Sequence, residues 1–500
     1  MIRRLLIANR GEVALRIIRA CRELGVEPVA VFSEPDQGAP HACAADRSVA
    51  IGPGPAGDSY LAIPRLLEAA RVSGADAVHP GYGFLSENAA FAAACENAGL
   101  TFVGPPSRVI ARMGSKIDAR ALMQTAGVPV VPGETPKDQS DDELHRAVDR
   151  VGLPALIKAA AGGGGKGMRL VRARDEVVEG VQGARREAIA AFGDGTLYVE
   201  RLIERPRHIE VQVFGDAHGH VVHLFERECS VQRRHQKIIE ESPAPMLTPA
   251  LRARITTAAV KAATAVQYRN AGTVEFLVDF SAGRRDDAQF YFLEMNTRLQ
   301  VEHPVTEQVT GVDLVRAQII AASGEPLPWR SDTLTQRGHA IEARIYAEDP
   351  DQGFLPQAGR LLLYREPTLP GVRIDSGVAE GGEVSVYYDP MLAKVIATGE
   401  TREAAISRLN AALRNYPILG IRTNAAFLLR ILEHPRFRSG DVDTSFLDGE
   451  GAALVEAGEV EPPPWMRAAV AAHEELRSPA PGGRSTDAWD PWQRLRQWRS

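Results

Sequence analysis

Glu275 sits within Thr273–Phe280, and Glu294 closes Gln289–Glu294; both runs are rich in aromatic and β-branched residues and predict strands. Between them lies Ser281–Ala288, a polar stretch with a glycine, so the pair is expected to form an antiparallel hairpin. A hairpin can bring the two carboxylates side by side, where they repel unless a cation separates them. Asn296, Arg298 and Glu302 follow on the same short segment. Acids, an amide and a cation in this order suit a Mg²⁺-assisted phosphoryl-transfer site. The competing reading is a set of salt bridges on an exposed hairpin.

A second chemical signal is Gly162-Gly-Gly-Gly-Lys-Gly-Met168, placed after the expected strand Pro154–Lys158. Glycines let backbone N–H groups approach phosphate oxygens without a Cβ in the way. The Walker A pattern fails because Lys166 is followed by Gly167 rather than Ser or Thr. Gly162, Gly164 and Gly167 satisfy G-x-G-x-x-G, but Met168–Val171 reads as a strand where that motif needs a helix. What remains is strand, glycine loop, strand: a flap over a triphosphate, with Gly163, Gly164 and Gly165 as its phosphate contacts. Lys158 and Lys116 are candidate cations for the phosphates, although either alone could be a solvated surface charge. A basic cluster, Gln232–Lys237, fits a small-anion pocket with Lys237 as donor; the alternative is a solvated strip.

The elements that must hold these residues follow from the rest of the chain. Its 500 residues suggest about three domains, and 44% hydrophobic content is ample for packed cores. A net charge of −6 with both signs interspersed argues against nucleic acid and anionic membrane as partners. There is no transmembrane-length apolar run. The four cysteines have no C-x-x-C pairing, which predicts reduced thiols and a cytoplasmic setting. The first hundred residues alternate strand and helix: strands at Leu5–Asn9, Val29–Phe32, Ala75–His79 and Leu100–Val103, and an amphipathic helix from Glu12 to Leu24. Ser86 is expected to cap the helix carrying Phe91, Ala94 and Cys95. The fold class is therefore α/β, with a parallel βαβ N-terminal domain whose loops Asn9–Glu12 and His79–Phe84 sit at the ligand-binding edge or are plain tight turns. The expected partition is 1–114, then 115–330 with a lid over about 132–203, then an α+β segment 331–447. The proline-rich tail 448–500 reads as linker-like.

Together these motifs resemble the biotin carboxylase family, a branch of the ATP-grasp enzymes. The matching phrases are Ile7–Glu12, His79–Asn88, Met113–Lys116, Lys158 with the glycine loop, Gln232–Lys237, Glu294–Arg298 with Val301–Pro304, and Arg344–Asp349. They cover residues 1 to 447 in the family's order. The resemblance implies an N-terminal domain, an ATP-grasp domain with a glycine-rich lid, and a C-terminal biotin carboxylase domain. It further implies carboxylation of biotin N1 from ATP and bicarbonate by way of carboxyphosphate. By resemblance, Lys116, Lys158, His208, Gln232 and His235 bind ATP, with the hinge Glu200 to Ile203 at the adenine. Glu275, Glu294 and Asn296 hold two Mg²⁺ or Mn²⁺ ions. Lys237, Arg298, Gln300 and Val301 surround bicarbonate, Glu302 is the base, Arg298 faces the developing oxyanion and Arg344 lies beside the biotin. The sequence departs from the family pattern at Ala161, in the long charged hairpin turn, and in lacking an Ala-Met-Lys-Met biotinylation motif. The resemblance therefore implies that biotin rides on a separate carrier protein, with a carboxyltransferase in trans and a homodimer or larger complex. Tyr387–Lys394 and Asp487–Trp498 look like the versions found in acyl-CoA carboxylase α chains. Competing readings are a catalytically dead ATP-binding scaffold and another bicarbonate-activating ATP-grasp ligase.

Overall fold

The computed structural model describes residues 1–160, 167–281, 283–330 and 332–455. Strands β1 (Arg4–Ile7), β2 (Glu27–Phe32), β3 (Arg47–Ala50), β4 (Ala77–His79) and β5 (Thr101–Phe102) form a parallel sheet in the order β3-β2-β1-β4-β5. The apolar positions of helix Gly11–Leu24 land where the 3.6-residue period puts them: Ala14, Ile17, Ile18 and Cys21 are buried. One expectation fails. The helix after the His79 loop starts at Ala89 and is capped by Asn88, whose side chain accepts from Phe91 N–H; Ser86 is not the cap. Turn hydrogen bonds from Ser86 to Gly83 and from Asn88 to Leu85 prolong the loop by two residues.

A small antiparallel sheet follows. It is built from β6 (Gly133–Glu134), β7 (Ala155–Ala159), β8 (Met168–Val171) and β9 (Leu197–Arg201), in the order β6-β9-β7-β8. β7 and β8 pair antiparallel, Lys158 opposite Met168, so the glycine run lies in the connection of a hairpin, as strand–loop–strand requires. Gly163, Gly164 and Gly165 themselves lie outside the described residues.

The largest sheet has eight strands, all antiparallel to their neighbours. It runs β14 (Gln289–Asn296), β13 (Asn270–Asp279), β10 (Arg207–Gly215), β11 (Val221–Arg233) and β12 (Gln236–Ser242). It then continues through β15 (His339–Tyr346), Met391–Gly399 and Val372–Ser376. The β12–β15 ladder carries the sheet across the seam near residue 330. The core follows it: Ile238 and Ile239 pack in one apolar cluster with Ile341, Val395, Ile406 and Phe427.

Candidate active site

The predicted hairpin exists, and its register sets Glu275 directly opposite Glu294. Asn296, at the end of β14, donates from Nδ2 to Glu275 Oε1 at 2.8 Å. Glu275 is buried, whereas Glu294 faces the open cleft. That cleft, of about 430 Å³, is lined by Glu87, Lys116, Glu200, Glu294, Asn296 and Arg298, among others.

Next to this acid pair sits an inner cluster. Lys237 Nζ donates to Glu210 Oε2, to Glu275 Oε1 at 2.9 Å and to Glu302 Oε1 at 2.6 Å. Arg344 donates to Glu302 Oε2 at 2.9 Å and also pairs with Glu240. Burial opposes the charge on Glu302, but Lys237 and Arg344 outweigh it and hold the carboxyl well below the usual range. Arg298 spreads its fork over four groups: Nε to Glu87 Oε2 at 2.8 Å, Nη1 to Gln300 Oε1 at 2.8 Å and to the Leu299 carbonyl at 3.2 Å, and Nη2 to Asn296 Oδ1 at 3.2 Å. A planar fork held by four acceptors is a cation fixed in place. Glu302 has non-helical backbone angles as the N-cap of helix His303–Thr310, and His303 Nδ1–H donates to Gln300 C=O at 2.7 Å. The segment 300–302 is thus pinned at both its backbone and its side chains.

A second group of cations is gathered near Glu200 on β9. Lys158 Nζ donates to Glu200 Oε2 at 2.7 Å, and Arg120 donates to Glu200 Oε1 at 2.6 Å. Lys116 is half-buried; burial lowers its pKa, with Glu294 pulling the other way. His208 Nε2 lies 2.8 Å from Glu275 Oε2. Gln232 pairs across from Lys237 on the β11–β12 hairpin, and the two-residue turn between the strands is Arg234–His235. Both turn residues have positive φ, 49° and 65°. This geometry usually falls to Asn-Gly or Gly-Gly, so the turn holds two side chains in a conformation they rarely adopt. His235 is exposed at the tip and, like Gln232 and the buried Ile203, does not line the cleft.

Three domain families match the chain: biotin carboxylase N-terminal domain at 1–110, the ATP-binding domain of carbamoyl-phosphate synthase L chain at 115–330, and biotin carboxylase C-terminal domain at 342–449. A biotin carboxylase from Halalkalibacterium halodurans is 50% identical over 447 residues, covering 89% of this chain and 97% of that one. The chain belongs to the biotin carboxylase family.

Within the family, the α subunit of mouse mitochondrial methylcrotonoyl-CoA carboxylase is 51% identical over 447 residues, and this chain covers 62% of its length. Among solved structures, the biotin carboxylase domain dimer of Hydrogenobacter thermophilus 2-oxoglutarate carboxylase, in complex with MgADP, ADP and bicarbonate, superposes with a TM-score of 0.87. It is 44% identical, over 92% of this chain and all of that one. A biotin carboxylase–β,γ-ATP complex from Campylobacter jejuni gives 0.86 at 44% identity, over 90% of this chain and 99% of that one.

Sequence reasoning missed several members of this candidate site. Glu87 was quoted only inside a loop motif, yet it fixes Arg298 and also accepts from Thr297 N–H at 3.1 Å. Glu210 stands in a strand whose every residue is buried, and an acid amid such a pattern signals a buried partner. That partner is shared: besides Lys237, Arg227 binds Glu210 and also reaches Gln212, Thr306 and Thr273 at 2.8, 2.8 and 3.0 Å. The loops Asn9–Glu12 and His79–Phe84 interlock, Asn9 Nδ2 donating to the carbonyls of Pro80 and Tyr82 at 2.7 Å.

The donor set fits a divalent cation. Glu275, Glu294 and Asn296 offer hard oxygens on adjacent strands. The donor atoms of His208, Glu210 and Glu275 also lie within 4.8 Å of one another, but there Lys237 already supplies the positive charge. The face toward Glu294 has no such direct ion pair among the described residues and opens on the cleft.

Proposed function

We propose that this chain uses ATP and bicarbonate to carboxylate N1 of carrier-borne biotin, the first half-reaction of an acyl-CoA carboxylase. The observation that carries the reading is the convergence of Arg298, Lys237, Arg344 and Glu302 beside the Glu275–Glu294–Asn296 acid face. Lys116, which lines the cleft, and Lys158, paired with Glu200 beside it, bind the phosphates. Glu275, Glu294 and Asn296 would hold Mg²⁺ or Mn²⁺, which would neutralise charge on the transferring phosphoryl group.

Lys237 and Arg344 both pair with Glu302, as well as with Glu210 and Glu275 in the first case and Glu240 in the second. An anion arriving between them draws these cations toward itself and so raises the basicity of Glu302, which takes the proton of bicarbonate as it attacks the γ-phosphorus. The resulting carboxyphosphate is labile in water, and closure of the β7–β8 hairpin over it excludes solvent. Carboxyphosphate then gives CO₂ and phosphate, the phosphate takes the N1 proton, N1 attacks CO₂, and Arg298 faces the oxyanion that develops on the biotin ureido carbonyl.

In the same reading the chain divides as 1–114, 115–330 and 331–447, works in a homodimer or larger complex, and receives biotin on a separate carrier with a carboxyltransferase in trans. Cysteines 21, 43, 95 and 229 are all unpaired, which supports a reducing, cytoplasmic setting. No helix among the described residues is long and apolar enough to cross a membrane.

The test is ADP release by the purified chain with Mg²⁺, ATP and bicarbonate, with and without free biotin. A biotin-dependent rise that disappears in Arg298→Ala supports the reading. Release indifferent to biotin points instead to another bicarbonate-activating ligase, and ATP binding without turnover points to a scaffold.

A further inference from the structure

Lys394 lies in the middle of the strand Met391–Gly399 and is completely buried. A buried ammonium is costly unless its hydrogen bonds and counter-charges are supplied. Here they come from all three segments of the chain. Its Nζ donates to the backbone carbonyl of Val301 at 2.8 Å and lies 3.1 Å from Glu12 Oε1. Asp375 Oδ2 is 4.0 Å away, and the ring of Tyr82 is 5.9 Å from the ammonium. The Tyr82 hydroxyl in turn donates to the same Glu12 oxygen. Burial opposes the charge of Lys394, but Glu12, Glu342 and Asp375 outweigh it and keep the ammonium charged.

Register gives this lysine its meaning. Lys394 is the direct cross-strand partner of Arg344 on one side and of Asp375 on the other. The two neighbouring cations reach the same short segment: Arg344 takes the Glu302 side chain and Lys394 takes the Val301 carbonyl, one peptide earlier. Asp375 also anchors Arg373, which donates to Glu307 of the helix that Glu302 caps at 2.7 Å.

We infer that Lys394 is a positioning residue for bicarbonate: it holds the Gln300–Glu302 segment at one fixed height above the sheet and ties it to the N-terminal domain through Glu12. The inference rests on the reading that this segment contacts bicarbonate. Loss of a hydrogen bond from a charged donor is expected to cost the ligand it positions about 10- to 100-fold.

The experiment measures KM for bicarbonate and for ATP, with free biotin and Mg²⁺, in wild type, Lys394→Met and Lys394→Gln, with the melting midpoint of each. The methionine removes the donor, and the glutamine keeps a neutral one. Expected is a rise in bicarbonate KM of about 10- to 100-fold for Lys394→Met and a smaller rise for Lys394→Gln, with ATP KM unchanged within about twofold. Wild-type bicarbonate KM in either folded variant overturns the inference. So does an equal rise in both KM values that tracks loss of the melting midpoint, since that marks a merely structural lysine. A wild type whose ADP release ignores bicarbonate overturns the underlying reading as well, and is distinguishable because it needs no variant.

Discussion

At the scale of single residues, the site is a set of cations each held by several acceptors. Arg298 is fixed by Glu87, Gln300, Asn296 and the Leu299 carbonyl. Replacing it with alanine should lower biotin-dependent turnover by ~10²–10³, the usual loss for one oxyanion donor, read as kcat for ADP release in the presence of biotin. Arg227 is the structural counterpart. It is fully buried, and it ties Glu210 to Gln212, Thr273 and Thr306. Arg227→Met should cost about 3–5 kcal/mol, because Glu210 then loses one of its two cations in a dry interior; urea unfolding measures it. The motif residues were legible because their types carry chemistry. Their supporting partners were not, since Glu87, Glu210 and Glu240 matter only through what the fold places opposite them.

At the scale of elements, hairpins do most of the positioning. The aromatic and β-branched content of Thr273–Phe280 and Gln289–Glu294 announced the hairpin, but its register, with an irregularity just after Glu275, is what sets the two carboxylates opposite each other. The β11–β12 turn was not legible, because Arg234–His235 has none of the residues that favour positive φ at both positions. The strain there invites a direct test. His235→Gly should stabilise the fold by ~0.5–1 kcal/mol by relieving the left-handed conformation. The same change should raise KM for ATP, as the resemblance that places the imidazole at the nucleotide implies; thermal melting and steady-state kinetics on one variant read both. Ser86 misled as a cap because its hydroxyl is as suitable as the Asn88 amide, and only the extra turn decides between them.

At the scale of the whole molecule, the parallel N-terminal sheet follows from alternating strand and helix patterns, while the eight-stranded sheet does not. Its joining ladder pairs residues far apart in sequence, and nothing local in Gln236–Ser242 or His339–Tyr346 names the partner. The join is reinforced by Glu241, which accepts from His339 Nε2 at 2.6 Å and from both ends of the Arg402 fork at 2.6 and 2.9 Å. Burial alone would raise this carboxyl, but His339 and Arg402 bring it from 4.5 to about 2. A depressed carboxyl stabilises the fold above its unfolded pKa and loses that stabilisation as pH falls. Wild type should therefore exceed Glu241→Gln in stability at pH 6, by on the order of 3 kcal/mol. The gap between their melting curves should close as pH drops from about 4.5 to about 2.

The continuity of that sheet separates ancestry from assembly. The matched family segments change hands between residues 330 and 342, while the hydrogen-bonded ladder joins the two segments across that border. A chimera that exchanges the C-terminal segment for a relative's must bring a strand that fits β12 in register, with Arg344 and Lys394 side by side at its far face. The transplantable unit is thus the ladder with its two cations, rather than the stretch of chain between two recognisable borders.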